Sequence, residues 1–197
     1  VWERLEEMVA AAPGDGGISF RPLVDGDRER LFDWRNRPEV ARHLFGPTPI
    51  ARPDHDRWFD RLSEDRSRRS WIVEADGRPV GLVNLTGITG PGGTCAWGGY
   101  VADPQDRGRG VGRLMVDFGL DQAFETLGVK TVTLEVYVDN EAAVGLYRSV
   151  GFSTIGERAE GNRRVLLMEV DRDHRHGRLP ERNRSLTDST DPLPRIR

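Results

Sequence analysis

Apolar and polar residues alternate in two distinct periods along this chain, and glycine, proline and aspartate mark the changes between them. Val132, Leu134, Val136 and Val138 alternate with Thr131, Thr133, Glu135 and Tyr137, the period of a strand with two unlike faces. Ile18 to Val24, Ser70 to Ala75, Pro79 to Ile88 and Thr94 to Val101 read as earlier strands, with Asp76-Gly77 as a hairpin turn. Phe152 to Glu157 and Arg164 to Val170 form a further pair around Gly161-Asn162. The helical period appears in Val111, Leu114, Met115, Phe118, Ala123 and Leu127, which stop at Gly128, and a second helix runs from Glu141 to Val150 before Gly151. Shorter helices are expected over Asp27 to Asn36, where Asp27 can accept hydrogen bonds from free amides, and over Pro53 to Asp65. Together these elements predict an α+β fold with a mostly antiparallel sheet and flanking helices.

Trp2, Leu5, Val9 and Ala12 share helical spacing before Pro13-Gly14, so residues 1–17 are expected to be an appended helical extension. Arg172 to Arg197 carries three prolines, many charges and no aromatic residue, too little apolar surface to offset the entropy of ordering. The expected organisation is an extension over 1–17, one domain over 18–170 and a disordered tail over 171–197.

Charge and composition exclude several partners. With 29 basic and 32 acidic residues the net charge is -3, which provides no field to gather nucleic acid or anionic lipid. Lys130 is the one lysine among many arginines, a bias of composition and not of chemistry. Cys95 stands alone, so no disulfide framework or multi-cysteine metal site is expected, and a reducing cytoplasm fits. No apolar run has the ~20 residues of a membrane span. The expectation is a cytoplasmic protein that needs no metal, nucleic acid or membrane, with a small molecule as its partner.

The strand ending Tyr100-Val101-Ala102 leads through Arg107-Gly108-Arg109-Gly110-Val111-Gly112 directly into an amphipathic helix. Glycines let the backbone approach a ligand closely, and the first helical turn offers unpaired amides and a partial positive charge, so a diphosphate can dock. Arg107, Arg109 and Arg113 can add charge. A dinucleotide fingerprint needs a third glycine where Arg113 stands, and a P-loop needs Gly-Lys-Ser/Thr, so both are excluded. Arg107, Gly110 and Gly112 resemble the Arg/Gln-x-x-Gly-x-Gly/Ala motif of the GCN5-related N-acetyltransferases (GNAT). Asn140, Ala143, Tyr147, Gly151 and Phe152 resemble the same family's downstream block.

That resemblance implies the acyl-CoA N-acyltransferase fold, a three-layer sandwich with a mixed sheet, and acetyl-CoA as co-substrate. It implies that amides from Arg107 to Gly112 hold the pyrophosphate and that Tyr100, Val101 and Ala102 pair with pantetheine. It further implies that Asn140 binds near pantetheine, Ala143 leaves room for it, and the Tyr147 hydroxyl protonates the departing thiolate. Asn140 can also cap its helix. Many relatives carry a glutamate where this chain has Ala96, which leaves the base open between Glu135, a water chain and no dedicated base. Cys95 lacks a neighbouring base and reads as an inert thiol. The implied assembly includes a homodimer.

The segment around Trp34-Arg35-Asn36 and the later Gly81 to Leu85 resemble the acetyltransferases of pseudaminic-acid biosynthesis, which implies a nucleotide-linked aminosugar as acceptor. In that reading Arg35, Asn36, Asn84 and Trp97 shape the acceptor pocket, while His43 and His55 are surface or packing residues. Alternatives are a protein N-terminal or lysine acetyltransferase and a non-catalytic acyl-CoA-binding module.

Overall fold

The structure, a computed structural model, describes residues 17–176 apart from Ser63, so the helix expected near the start and the tail from residue 177 onward lie outside the described residues. The strands are β1 (Ile18–Pro22), β2 (Arg69–Ala75), β3 (Arg78–Thr86), β4 (Thr94–Val101), β5 (Thr131–Tyr137), β6 (Ser153–Glu160) and β7 (Arg163–Asp171). They form one sheet in the order β1-β2-β3-β4-β5-β7-β6. Every neighbouring pair is antiparallel except β4 and β5, which are parallel. The helices are α1 (Arg28–Asn36), α2 (Pro38–Ala41), α3 (Arg52–Leu62), α4 (Val111–Asp121), α5 (Glu141–Ser149) and α6 (Arg172–His176).

Helices cover both faces. On one face Val111, Met115, Val116 and Leu120 of α4, with Val144 and Tyr147 of α5, pack against Val83, Leu85, Trp97, Val132 and Leu134. On the other, Leu31 and Trp34 of α1 and Phe59 of α3 pack on Ile72 and Leu82. Each large apolar side chain buried this way contributes roughly 1.5–3 kcal/mol. The long apolar period before Gly128 is one helix in sequence but two in space: α4 ends at Asp121 and a π-type turn over Gln122–Thr126 follows, placing Ala123 and Phe124 fully inside.

Three local expectations are corrected. Pro38–Ala41 adds a one-turn helix, with proline in its first turn. Asp27 does not cap α1 with its side chain. A 3-10 turn over Asp25–Asp27 sends the carboxylate back to Arg21 (2.6 and 2.8 Å), to the Val24 amide (3.1 Å) and to Arg30. Burial opposes this charge, yet Arg21, the Val24 amide and Arg30 together hold the carboxyl below the usual carboxylate range. Finally, the chain past Val170 continues in β7 to Asp171 and then in α6, whose Arg175 pairs with Asp121 at 2.7 Å and lies over the Phe124 ring.

Candidate active site

The parallel pair β4 and β5 is joined by α4, so the N-terminus of α4 sits at the carboxyl end of β4, the end at which ligands bind in parallel strand units. There the two strands part. They pair only at Thr94 with Thr131, Cys95 with Val132 and Ala96 with Thr133, after which β4 continues to Val101 beside β3 and β5 to Tyr137 beside β7. The Ala102 amide bonds to the Val80 carbonyl at 2.8 Å. By strand alternation, the backbone groups of Gly99, with the Trp97 carbonyl and the Val101 amide, therefore face the opening and not β3, while the Trp97 amide completes the pairing with Thr133 and the Val101 carbonyl accepts from Arg107. Gly98 and Gly99 contribute no side chain to fill it. A cavity of about 510 Å³, the size of a small-ligand site, occupies the split.

Asn140 and Tyr147 line one wall of the cavity, whereas Val101, Ala102, the loop from Arg107 to Gly112 and Ala143 are not part of its lining. Gly108 (φ 74°) and Gly110 (φ 83°) hold the left-handed conformation that side chains disfavour, and Gly110 is the N-cap of α4, presenting the first-turn amides outward. The basic residues of this loop are engaged within the protein. Arg107 donates to the Glu39 and Val101 carbonyls (both 3.2 Å), Arg109 lies 3.8 Å from Asp106, and Arg113 bonds to Asp117 at 2.7 Å. Gly112 packs against α5, where a Cβ would lie 3.4 Å from Leu146.

Asn140 occupies the N-cap position of α5, but its side chain makes no capping bond and lines the cavity instead. The backbone there (φ -87°, ψ 61°) departs from the extended geometry in which a cap side chain reaches the first amides. Tyr147, buried from bulk solvent, also lines the cavity. Its ring meets Trp97 and Phe152 edge to face, and its hydroxyl has no hydrogen-bond partner among the described residues. Burial pushes its pKa up, so the phenol stays protonated at neutral pH. Tyr100 lines the same cavity, and burial raises its phenol as well. Cys95, on β4, is buried in the core, and desolvation pushes its thiol up to about 11, an unreactive state.

The opposite wall is the connection between α2 and α3, which brings His43, Leu44 and Phe45 to the cavity. Arg35 and Asn36 do not reach the cavity. Arg35 donates to the Phe45 carbonyl at 3.1 Å, and Asn36 bonds both backbone groups of Ile50, accepting from its amide at 2.8 Å and donating to its carbonyl at 3.3 Å. Both hold the loop in place. Asn84 stands opposite Gly98 on β3 and accepts the Ser70 hydroxyl at 2.7 Å. Trp97 lines the cavity from within the core, its indole against Gly119 of α4. Glu135 does project into the cavity, where Arg158 donates to its carboxylate at 3.1 Å.

His43, Leu44, Phe45, Thr133, Ile155 and Leu167 form cavity wall that no motif pointed to. His43 is more than a surface residue: burial first, then Arg42, Arg107 and Arg163, lower its pKa and keep the ring neutral at pH 7. His55 is a core residue as expected. No group of three or more metal-ligating side chains that could hold an ion occurs among the described residues. None of their helices is long and apolar enough to cross a membrane.

Comparison with known proteins agrees with this geometry. Residues 18–153 match the family model of the acetyltransferase (GNAT) domain. Spermidine N(1)-acetyltransferase of Escherichia coli K12 is 28% identical over 145 residues, covering 74% of this chain and 77% of that protein. Acetyltransferase PseH of Campylobacter jejuni is 30% identical over 139 residues, covering 71% and 85% respectively. Among solved structures, spermidine N-acetyltransferase from Vibrio cholerae in complex with CoA and spermine shares the fold, with a TM-score of 0.75 at 22% identity over 82% of this chain and 99% of that one.

Proposed function

The chain belongs to the GNAT acetyltransferase family, and we propose that it transfers the acetyl group of acetyl-CoA directly to a primary amine of a small molecule, with Tyr147 as proton donor. The observation that carries the reading is the Tyr147 phenol, kept protonated by burial and without a hydrogen-bond partner among the described residues, in the cavity at the split between β4 and β5.

The residues present fit acetyl-CoA. Gly108 and Gly110 keep side chains away from the α4 amides, the Gly99 backbone groups, the Trp97 carbonyl and the Val101 amide offer pairing along β4, and the Asn140 amide is not spent on its helix. Tyr100, Val101, Ala102 and the loop from Arg107 through Gly112 (Gly108, Arg109, Gly110, Val111) are the binding segment, and Asn140 and Ala143 border it on α5. When bound, acetyl-CoA supplies a thioester carbonyl and a thiolate leaving group.

Tyr147 holds a proton at Oη for that leaving group. The amides facing the opening from β4 are positioned to hold the carbonyl oxygen as negative charge develops on it. Glu135 accepts the amine proton, directly or through water, and Arg158 steadies its carboxylate. Arg35 and Asn36 act through the loop they pin, Trp97 through the ring it holds, and Asn84 through the β3 backbone behind Gly98. All these groups come from one chain. A cytoplasmic setting suits the single buried thiol.

A cavity walled by a pinned loop favours a small amine over a peptide. The test is CoA release from acetyl-CoA with a panel of small primary amines and, separately, with peptides. Turnover on the small amines alone is expected. Peptide turnover would select the protein-acetyltransferase reading, and tight acetyl-CoA binding without any turnover would select the non-catalytic one.

A further inference from the structure

The acceptor side of the cavity is apolar and nearly uncharged. Glu135 and Leu167 stand directly opposite each other across β5 and β7. Next to Leu167, β6 carries an extra residue: Thr154 pairs with Met168 and Gly156 with Leu167, which leaves Ile155 between them unpaired. A bulge of this kind re-aims the side chain it carries. Ile155 is 54% exposed, a large apolar group left outside the core, and it lines the cavity. Leu44 and Phe45 face it from the loop, and Phe45 is fixed against the Tyr137 ring (centroids 4.7 Å apart) with the Arg158 guanidinium over it at 5.2 Å.

Charge is committed elsewhere. Glu135 is the lining's one carboxylate, and Arg158 holds it. A polyamine brings ammonium groups besides the one that reacts, and each would be desolvated here without a carboxylate of its own. A nucleotide diphosphate meets the reverse problem. The guanidinium groups beside Phe45 and Tyr137 belong to Arg158, bound to Glu135 and Glu160, and to Arg163, bound to Asp139 at 2.6 Å. His43, the lining's remaining nitrogen base, is neutral.

Building on the transfer reading above, we propose that the acceptor is a monoamine with an apolar body, an arylalkyl- or alkylamine seated against Ile155, Leu167, Leu44 and Phe45 with its nitrogen at the β4–β5 split. Ile155 then determines specificity without touching the reacting atoms.

The experiment measures kcat/KM with 2-phenylethylamine, hexylamine, spermidine and a UDP-linked 4-amino sugar, for the parent chain and for Ile155→Ser. Ile155 is exposed on an edge strand, so the variant should keep its Tm. The two apolar amines should exceed the other two by tenfold or more. Ile155→Ser should cut their kcat/KM by about tenfold, the loss expected for one buried side chain, and leave the KM for acetyl-CoA unchanged. Preference for spermidine or the amino sugar, or an unchanged kcat/KM in Ile155→Ser, would overturn the acceptor assignment and leave the transferase reading standing. No turnover of any amine despite acetyl-CoA binding would overturn both. A dimer in sedimentation that Ile155→Asp dissociates, with apolar-amine turnover intact, would assign this face to a second copy of the chain and refute the assignment.

Discussion

The indole of Trp97 meets the phenol of Tyr147 edge to face, with centroids 5.5 Å apart and planes at 70°. Phe152 contacts the same phenol at 5.8 Å and 62°. Aromatic pairs in this geometry are worth roughly 0.5–1.5 kcal/mol beyond their buried area. The two contacts fix the ring plane, so a residue from β4 and one following α5 jointly set where the Tyr147 hydroxyl stands.

Tyr147→Phe preserves both ring contacts and removes only the proton donor. Stability should change by less than about 1 kcal/mol and the KM for acetyl-CoA should stay the same. The turnover number should fall by about 10²-fold or more. Because burial raises the Tyr147 pKa, the parent enzyme should show no alkaline loss of kcat from this group up to pH 10. A Phe variant with unimpaired turnover would remove Tyr147 from the acid role.

Gly119→Ala tests the support behind that ring. A Cβ at Gly119 would lie 2.4 Å from Trp97 Nε1 and 2.5 Å from its Cδ1, so α4 or the indole must move. Overpacking of this kind costs about 1–3 kcal/mol, and the displaced indole should lower kcat as well. Gly145→Ala, on the exposed side of α5 with nothing within 4 Å of a new Cβ, should instead stabilise by about 0.5–1 kcal/mol. Chemical denaturation of both variants checks the contrast.

Asn140→Ala separates two roles that the same residue can serve. Loss of a true cap would cost about 0.5–2 kcal/mol, but the Asn140 side chain caps nothing, so Tm should hold. The KM for acetyl-CoA should rise severalfold. A marked drop in Tm with unchanged KM would return Asn140 to a helix-capping role.

His55 makes stability sensitive to mild acid. Its Nε2 contacts the Arg28 carbonyl at 2.9 Å, while Nδ1 is buried without a partner. Desolvation lowers its pKa, so the native state refuses a proton that the unfolded chain accepts near pH 6.5. The unfolded state then binds more protons, and stability falls as pH drops through that value by at most about 1.4 kcal/mol per pH unit. His43 adds a slope of the same sign. His55→Leu should flatten the change in denaturant midpoint between pH 7.5 and 5.5, and an unaltered slope would refute the assignment.

Much of this architecture could be read from short stretches of chain. Thr131 onward declared itself as a strand by alternation, and Gly108 and Gly110 marked a place where the backbone takes positive φ. These signals are local because side-chain period and glycine sterics depend only on adjacent residues. Two features misled for the same reason. Asn140 and Asp27 have the chemistry of caps, but partners and backbone angles imposed from elsewhere turn both side chains away.

The sequence by itself determined the strands, the longer helices and the loop that leads into α4, since each depends on neighbours within a few positions. Only the tertiary structure decided where β4 and β5 part, that Arg35 and Asn36 pin a loop instead of lining a pocket, and that Ile155 leaves the ladder to face the cavity. Those outcomes depend on pairing and packing between segments far apart in the chain. The cavity wall around Ile155, Leu167 and Phe45 is built from such contacts, which is why its lining left no motif.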